Sequence, residues 1–116
     1  MSCSLSTYDI TSKEIKQLLN NLKASAKKRN IEFSLTASDI DDIGIPITCP
    51  VLNIPIYFHR GQVKDDSISF DRINSNKGYE KDNIIIVSYR VNKLKSNATI
   101  DEMKKIANFF SNLSID

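Results

Sequence analysis

The sequence predicts a small α+β protein with a single domain. The chain has 116 residues, which suits one domain and leaves little room for a second. Apolar positions recur at helical spacing near both ends of the chain, which predicts an N-terminal and a C-terminal helix. Between them, short runs of β-forming residues alternate with polar loops, which predicts strands. We expect residues 1–11 to be a loose lead-in and residues 12–116 to form the domain.

The composition excludes several classes of protein. Apolar residues make up 41% of the chain, which supports a modest core and argues against disorder. No apolar run approaches the roughly 18 residues that span a bilayer, and no secretory signal is recognisable. We therefore expect no membrane partner and a cytoplasmic location. Cys3 lies in a polar start, which argues against a disulfide framework, and two cysteines with one histidine, His59, cannot supply the about four ligands of a structural zinc site.

The first predicted helix is basic. It is expected to begin at Ser12 as N-cap and to run to about Arg29. Residues 13–30 include six basic residues and a single acid, Glu14, which favours either a nucleic-acid contact or a solvated helix face. Its apolar stripe, expected to pack on the core, consists of Ile15, Leu18, Leu19, Leu22 and Ala26.

The middle of the chain predicts a short acidic helix and then a β-hairpin. The helix is expected to begin at Thr36 or Ser38 and to end at Gly44. The hairpin is expected to pair Ile54–His59 with Ser67–Ile73 across a polar loop. An apolar segment at residues 83–87 and a helical segment at residues 88–95 follow.

The C-terminal helix has the clearest local signal. Thr99 and Glu102, three residues apart, form a capping-box pattern. We interpret the following helix as packed against the domain through an apolar stripe of Ile100, Met103, Ile106, Ala107 and Phe110 that runs to about Leu113.

Four short motifs in the second half of the chain stand in a fixed order. They are Phe70-Asp71-Arg72-Ile73, Lys77-Gly78-Tyr79, Asn83-Ile84-Ile85-Ile86-Val87 and Asn92-Lys93-Leu94-Lys95. With a basic first helix and the Cys-Pro-Val-Leu segment at residues 49–52, this order resembles small bacteriophage HNH-like (ββα-metal) proteins over roughly residues 18–110.

The resemblance implies a ββα-metal core at about residues 54–96 and a role on DNA. It implies that Asp71, at a strand end, and Asn92, on the following helix, hold Mg²⁺ or Mn²⁺, which stabilises charge on a scissile phosphate. Asn83 would order the loop, and Arg72 would clamp phosphate. The implied catalytic set is therefore Asp71, Arg72, Asn83 and Asn92.

The chain departs from the HNH pattern at the general base. Arg72 stands where a histidine is expected, and a guanidinium stays protonated at neutral pH. In the predicted hairpin His59 would lie roughly 13 Å from Asp71, too far to replace the base. Tyr79 is a second candidate for the base, and a metal-bound water could act without any protein base. The zinc-stabilised form of this fold has four cysteine positions. It is excluded, because Cys49 occupies one of them and Leu52, Ser88 and Val91 occupy the other three.

Two functions follow from these expectations. The first is a phage-type HNH endonuclease that nicks or cuts DNA with a divalent metal inside a bacterial host cell. The second is a catalytically degenerate HNH-fold module that binds DNA or a protein partner, as an accessory factor or inhibitor. A homodimer is a further expected form of partnership. In either function the expected phosphate contacts are Arg90, Lys93, Lys95, Lys27 and Lys28.

Overall fold

The computed structural model of the protein describes residues 10–113, which form a small α+β domain. The described residues contain four α-helices and one two-stranded antiparallel sheet. Residues 1–9 of the predicted lead-in, including Cys3, lie outside the described residues. The elements are α1 (Ser12–Lys28), α2 (Ala37–Ile43), β1 (Ile68–Arg72), a 3-10 turn (Lys81–Asn83), β2 (Ile84–Ser88), α3 (Tyr89–Lys95) and α4 (Ile100–Asn112).

Helix α1 begins one residue earlier than the sequence suggested. Thr11 is the N-cap, and its hydroxyl accepts a hydrogen bond from the backbone N–H of Glu14 at 3.1 Å. The Glu14 carboxylate in turn accepts from the Thr11 N–H at 3.1 Å, which completes a capping box. The prediction of Ser12 as the cap is therefore wrong, because only Thr11 stands three residues before Glu14. The buried residues of α1 are Ile15, Leu19 and Ala26.

Helix α2 has the same kind of start and is linked to the 3-10 turn before β2. Thr36 caps it, in a capping box with Asp39, and Gly44 ends it with a positive φ of 77°. The Lys81 ammonium donates to Asp42 at 2.9 Å, so the 3-10 turn before β2 is linked to α2. The hydrogen bond that Lys81 donates to Asp42, with the negative charge of Asp42, raises the pKa of Lys81 above its usual value.

The hairpin joins β1 to β2, and this corrects the prediction from sequence. The two strands are antiparallel, in a register that runs from Ile68 opposite Ser88 to Arg72 opposite Ile84. Ile68 and Phe70 on β1 are buried, because alternate residues of a strand point to the same face. The ββα unit therefore spans residues 68–95, and its first strand is the one expected to be second.

The segment Ile54–His59, predicted as the first strand of that hairpin, forms isolated bridges instead. Pro55 bridges Thr48 on one side, and Tyr57 bridges Ser67 on the other. A β-rich composition indicates an extended segment without fixing its partner, and Pro55 lacks the N–H that a longer ladder would need.

The hairpin loop between β1 and β2, residues 73–83, docks on the segment after α1. The Tyr79 N–H donates to the Glu32 carbonyl at 2.8 Å, and the Ser34 N–H donates to the Tyr79 carbonyl at 2.9 Å. Gly78 lies so close that a Cβ there would be 2.5 Å from the Glu32 carbonyl oxygen. This contact positions the end of α1 beside the loop.

The core lies between α1, α2 and the sheet. Its most enclosed side chains include Ile40, Ile56, Cys49 and Val87. No helix within residues 10–113 is long and apolar enough to cross a membrane.

Helix α4 does not pack on this core, so the prediction of a packed C-terminal helix is wrong. Its capping box between Thr99 and Glu102 is present as expected. However, none of its residues is buried; Met103 is half-buried and the other residues of the helix are exposed. Helical periodicity predicts that an apolar face exists, and it leaves open what covers that face.

Candidate functional site

The candidate site is built on the contact of α3 with β1. The Ser88 hydroxyl caps α3 by accepting from the Val91 N–H at 3.3 Å. The helix then runs back across the sheet, so that residues one turn apart on α3 contact successive residues of β1. This gives the strand–loop–strand–helix order that the HNH resemblance implies.

Asn83 holds the hairpin loop together. Its side chain is 6% exposed. The side-chain oxygen accepts from the Asn74 N–H at 2.8 Å, and the amide nitrogen donates to the carbonyls of Asn74 at 3.0 Å and Gly78 at 2.9 Å. One side chain therefore closes the loop by satisfying three backbone groups nine and five residues away.

Arg72 also serves the loop. Its guanidinium donates to the carbonyls of Ser75 at 2.8 Å and Lys77 at 2.9 Å. It also lies over the Tyr79 ring, 5.4 Å from the centroid. The phosphate clamp predicted for Arg72 would have to use the donors that these carbonyls leave free.

Asp71 forms an ion pair with α3. Its carboxylate oxygen lies 2.6 Å from the Lys95 ammonium, and the two side chains are 20% and 23% exposed. Lys95 also donates to the Arg72 carbonyl at 3.3 Å. The residue predicted to bind DNA phosphate is thus the direct partner of the residue predicted to bind metal.

Asn92, the other predicted metal ligand, contacts the same strand. Its amide nitrogen donates to the Ser69 hydroxyl and, at 3.4 Å, to the Phe70 carbonyl. The fold therefore brings Asn92 and Asp71 to one strand–helix interface, as their order in the sequence suggested. Lys95, one turn after Asn92 on α3, enters the same interface.

In this arrangement, Asp71 and Asn92 both engage protein groups at the positions where a divalent cation was expected. A metal at Asp71 would have to share the carboxylate with the Lys95 ammonium, which engages one of its two oxygens, and the two positive charges would repel each other. Asn92 presents its N–H donors to β1, whereas a metal needs an oxygen donor. Within residues 10–113, no group of three or more His, Cys, Asp and Glu side chains is arranged to hold a metal.

His59 is engaged by a neighbouring acid. Its Nε2 lies 2.6 Å from a carboxylate oxygen of Asp66. It nevertheless lines, with Ser69 and Asn92, a groove of about 760 Å³ between α1 and the ββα unit.

The basic residues of α3 are partly neutralised. The Lys93 ammonium lies 2.5 Å from a carboxylate oxygen of Asp65. The hydrogen bond from Lys93, with the charges of Lys93 and Arg90, lowers the pKa of Asp65 below its usual value. The phosphate contacts predicted on α3 therefore compete with Asp65 and Asp71.

A second group of cations lines what we call the basic cleft, an open space of about 680 Å³ between the end of α1 and the hairpin loop. Arg29, Arg72 and Lys77 line it, together with the acids Glu32 and Glu80. The Arg29 guanidinium donates to the Tyr79 hydroxyl at 3.2 Å. Sequence reasoning missed Arg29 and Lys77 as site residues, since only the docking of the loop brings them together.

Lys27 and Lys28 extend this positive surface. Both are exposed in the last turn of α1, directly before Arg29. Within the part of the chain that the structure describes, neither forms an ion pair. Their charges therefore remain available to an anionic partner.

Cys49 lies beside the start of α3. The thiol is fully buried and accepts from the Ser88 N–H at 3.3 Å. Burial raises the pKa of this thiol, but hydrogen bonds from Leu52, Ser88 and Val51 outweigh burial and lower it. The position compared above with a zinc ligand is thus occupied by a thiol in a hydrogen-bonded core site.

Comparison with known proteins finds a similar protein in a bacteriophage. No protein family model matches the chain, and no solved structure matches it significantly. The chain is 28% identical over 99 residues to an uncharacterized 29.0 kDa protein in the dda-modA intergenic region of Enterobacteria phage T4. The alignment covers 85% of this chain and 39% of the phage protein, so the chain spans about two-fifths of that relative's length.

Proposed function

We propose that this protein is a DNA-binding module built on an HNH-like ββα unit, acting as a phage-type accessory factor in the cytoplasm of a bacterial host cell. The observation that carries the proposal is the positive surface formed by the basic cleft with Lys27 and Lys28. A phosphate backbone is the common cellular partner of such a surface, because each bound phosphate releases condensed counterions.

The Asp71–Lys95 pair favours binding over cleavage. The pair satisfies the carboxylate that a nuclease would use for metal, and Arg72 cannot act as a general base. The ββα unit then acts as a rigid scaffold that fixes the hairpin loop beside α1. The similarity to a phage protein supports the proposed setting.

The test is DNA binding by fluorescence anisotropy over a range of salt concentrations. We expect Lys27→Gln/Lys28→Gln to weaken binding and to reduce the slope of log affinity against log salt by about 2, one for each lost phosphate contact. The matched control is Lys13→Gln/Lys16→Gln, which removes the same charge from the opposite end of α1. Equal effects of the two variants would contradict a specific role for the C-terminal end of α1, and absence of binding by the wild type would refute the proposal.

The metal-dependent endonuclease predicted from the sequence is the second candidate. The observation in its favour is that Asp71 and Asn92 meet at one strand–helix interface. This candidate requires a cation to share the Asp71 carboxylate with Lys95 or to displace Lys95 from it. Nicking of supercoiled plasmid with Mg²⁺ or Mn²⁺, blocked by EDTA and lost in Asp71→Ala, would establish it and displace the first proposal.

A further inference from the structure

The groove between α1 and the ββα unit follows one face of the helix. We call this space of about 760 Å³ the α1 groove. Its α1 side includes Gln17, Asn21, Ser25 and Arg29, which succeed each other at intervals of four residues and therefore share a face. Between the first and the last of them the chain rises by roughly 18 Å, so the groove has room for a short extended ligand.

The opposite side of the α1 groove presents an aromatic ring on a fixed backbone. Tyr57 lines the groove and is 44% exposed. Its backbone is held at both polar groups, because its N–H donates to the Asp66 carbonyl at 2.9 Å and its carbonyl accepts from the Ile68 N–H at 3.0 Å. The His59 ring packs against it edge to face, with centroids 6.0 Å apart. An exposed ring held in this way offers a flat contact surface at little cost in conformational entropy.

Side-chain amides supply hydrogen-bonding groups in the same groove. Gln17 and Asn21 line it from α1, and Gln62 lines it from the loop after Tyr57. The Gln17 amide nitrogen donates to the Asn21 side-chain oxygen at 3.0 Å, a bond that uses neither the Gln17 oxygen nor the Asn21 amide nitrogen. An acceptor and a donor therefore remain side by side, and such a pair of groups is what an amide side chain uses to bind the edge of a base.

The charge of the α1 groove fits a polyanion. Its lining residues include the cations Lys13, Arg29 and Arg60 and the acid Glu14. Arg60 is exposed and, in the part of the chain that the structure describes, forms no ion pair. The Glu14 carboxylate already accepts a hydrogen bond from the Thr11 N–H. The groove therefore offers positive charge beside its aromatic ring and its amides, which favours a ligand that carries phosphates.

The α1 groove and the basic cleft meet at Arg29. This residue lines both spaces, and its guanidinium donates to the hydroxyl of Tyr79, which also lines the groove, at 3.2 Å. Lys27 and Lys28 directly precede Arg29 in the chain. A phosphate chain bound in the groove can therefore continue onto the positive surface already described.

We propose that the α1 groove binds unpaired bases of single-stranded DNA, with one base stacked on Tyr57 and its flanking phosphates on Arg29 and Arg60. The proposal rests on the DNA-binding function proposed above and names the form of DNA that this groove accepts. A space of about 760 Å³ suits a ligand of one or two nucleotides and not a duplex. The bases of a duplex cover each other's faces, so only an unstacked base can stack on a side chain. A cationic groove with an aromatic ring is the arrangement by which proteins bind single strands.

The first experiment is fluorescence anisotropy of the full chain with a labelled oligo(dT) of about 12 nucleotides and with a duplex of the same length. We expect Tyr57→Ala to weaken binding of the single strand by on the order of 10-fold, which corresponds to the loss of one stacked base. Its affinity for the duplex should change by less than about 2-fold, because a paired base does not reach the ring. The matched control is Phe109→Ala, which removes a ring of 59% exposure on α4, outside the groove, and should change neither affinity.

The outcomes separate this proposal from the DNA-binding function. A wild-type protein that binds the duplex but not the single strand would overturn the groove assignment and leave the DNA-binding function standing. Absence of binding to either would refute both. Equal affinities of Tyr57→Ala and the wild type for oligo(dT) would also overturn the assignment, and tighter binding of oligo(U) than of oligo(dT) would overturn the choice of DNA.

The second experiment uses variants that preserve the shape of the groove. The chain contains no Trp, so its intrinsic emission comes from its four Tyr, and stacking of a base on Tyr57 should quench part of that emission. Tyr57→Phe keeps the ring and should bind oligo(dT) like the wild type with less quenching. Arg60→Gln should reduce the slope of log affinity against log salt for oligo(dT) by about 0.7, the value for one phosphate contact on a single strand. Quenching in Tyr57→Phe equal to that of the wild type, or an unchanged slope in Arg60→Gln, would contradict the proposed arrangement.

Discussion

Replacement of Asn83 tests whether one side chain holds the hairpin loop. Asn83→Ala would remove an acceptor for the Asn74 N–H and two donors for the carbonyls of Asn74 and Gly78. These groups lie around a side chain that is 6% exposed, so water cannot replace all three bonds without opening the loop.

The expected loss follows from the number of bonds. A hydrogen bond contributes about 1 kcal/mol net, and a buried group left without a partner costs about 1–3 kcal/mol. Because water at the loop surface can replace part of the three bonds, we expect the free energy of unfolding to fall by about 2–4 kcal/mol. In a domain of this size that corresponds to a fall in Tm of the order of 10 °C.

Asn83→Asp sharpens the test because the side chain keeps its shape. The carboxylate can still accept from the Asn74 N–H, but it cannot donate, and it places a negative oxygen against two carbonyls. We expect it to be at least as destabilising as Asn83→Ala at neutral pH. A purely steric role would instead predict that Asn83→Asp behaves like the wild type.

The measurement is urea unfolding followed by far-ultraviolet circular dichroism. The control is Asn76→Ala on the same loop, where the side chain is exposed and only the backbone N–H bonds to Asn74. This control should lie within about 0.5 kcal/mol of the wild type. An Asn83→Ala protein equally close to the wild type would refute the reasoning.

Three further perturbations have defined outcomes in unfolding experiments. Gly78→Ala should destabilise by about 2 kcal/mol or more, because its Cβ would lie 2.5 Å from the Glu32 carbonyl oxygen; unchanged stability would contradict that contact. Lys93→Gln should remove the cause of the lowered Asp65 pKa. An acid whose pKa is lowered on folding stabilises the fold above its unfolded pKa, which is 3.8 for Asp65. The difference in the free energy of unfolding between Lys93→Gln and the wild type should therefore be full above about pH 5 and should close as pH falls below 3.8. A difference independent of pH would exclude this linkage. Cys49→Ala should lose about 1.5–3 kcal/mol, since it removes a fully buried sulfur and leaves a buried N–H unpaired; a loss below about 0.5 kcal/mol would mean that the core closes around the gap.

The sequence predicts the starts of the helices well because capping is local. Thr36 with Asp39 and Thr99 with Glu102 are separated by three residues, and the geometry of one helical turn brings each pair together. The error at Ser12 was of one residue and arose from choosing the cap by residue type without its partner Glu14.

The sheet was predicted less well because pairing is a long-range choice. β1 was recognised, but its assigned partner was Ile54–His59 and not β2. Both segments are rich in β-forming residues, and propensity does not distinguish between them. The hydrogen bonds of Asn83, which close the loop so that β2 returns along β1, depend on atoms of Asn74 and Gly78 that no periodicity identifies.

The order of the ββα motifs along the chain, the basic end of α1 and the amphipathic character of α4 were determined by the sequence alone. The motif order is read directly along the chain, and the characters of α1 and α4 depend on residues within one or two turns of each other. The tertiary structure decided that Lys95 neutralises Asp71, that Arg29 meets Lys77 across a cleft, and that the apolar face of α4 remains exposed. Each of these features depends on groups that are far apart in the chain; the two residues of the ion pair, for example, are separated by 24 positions. Packing of the whole domain decides whether such groups come into contact.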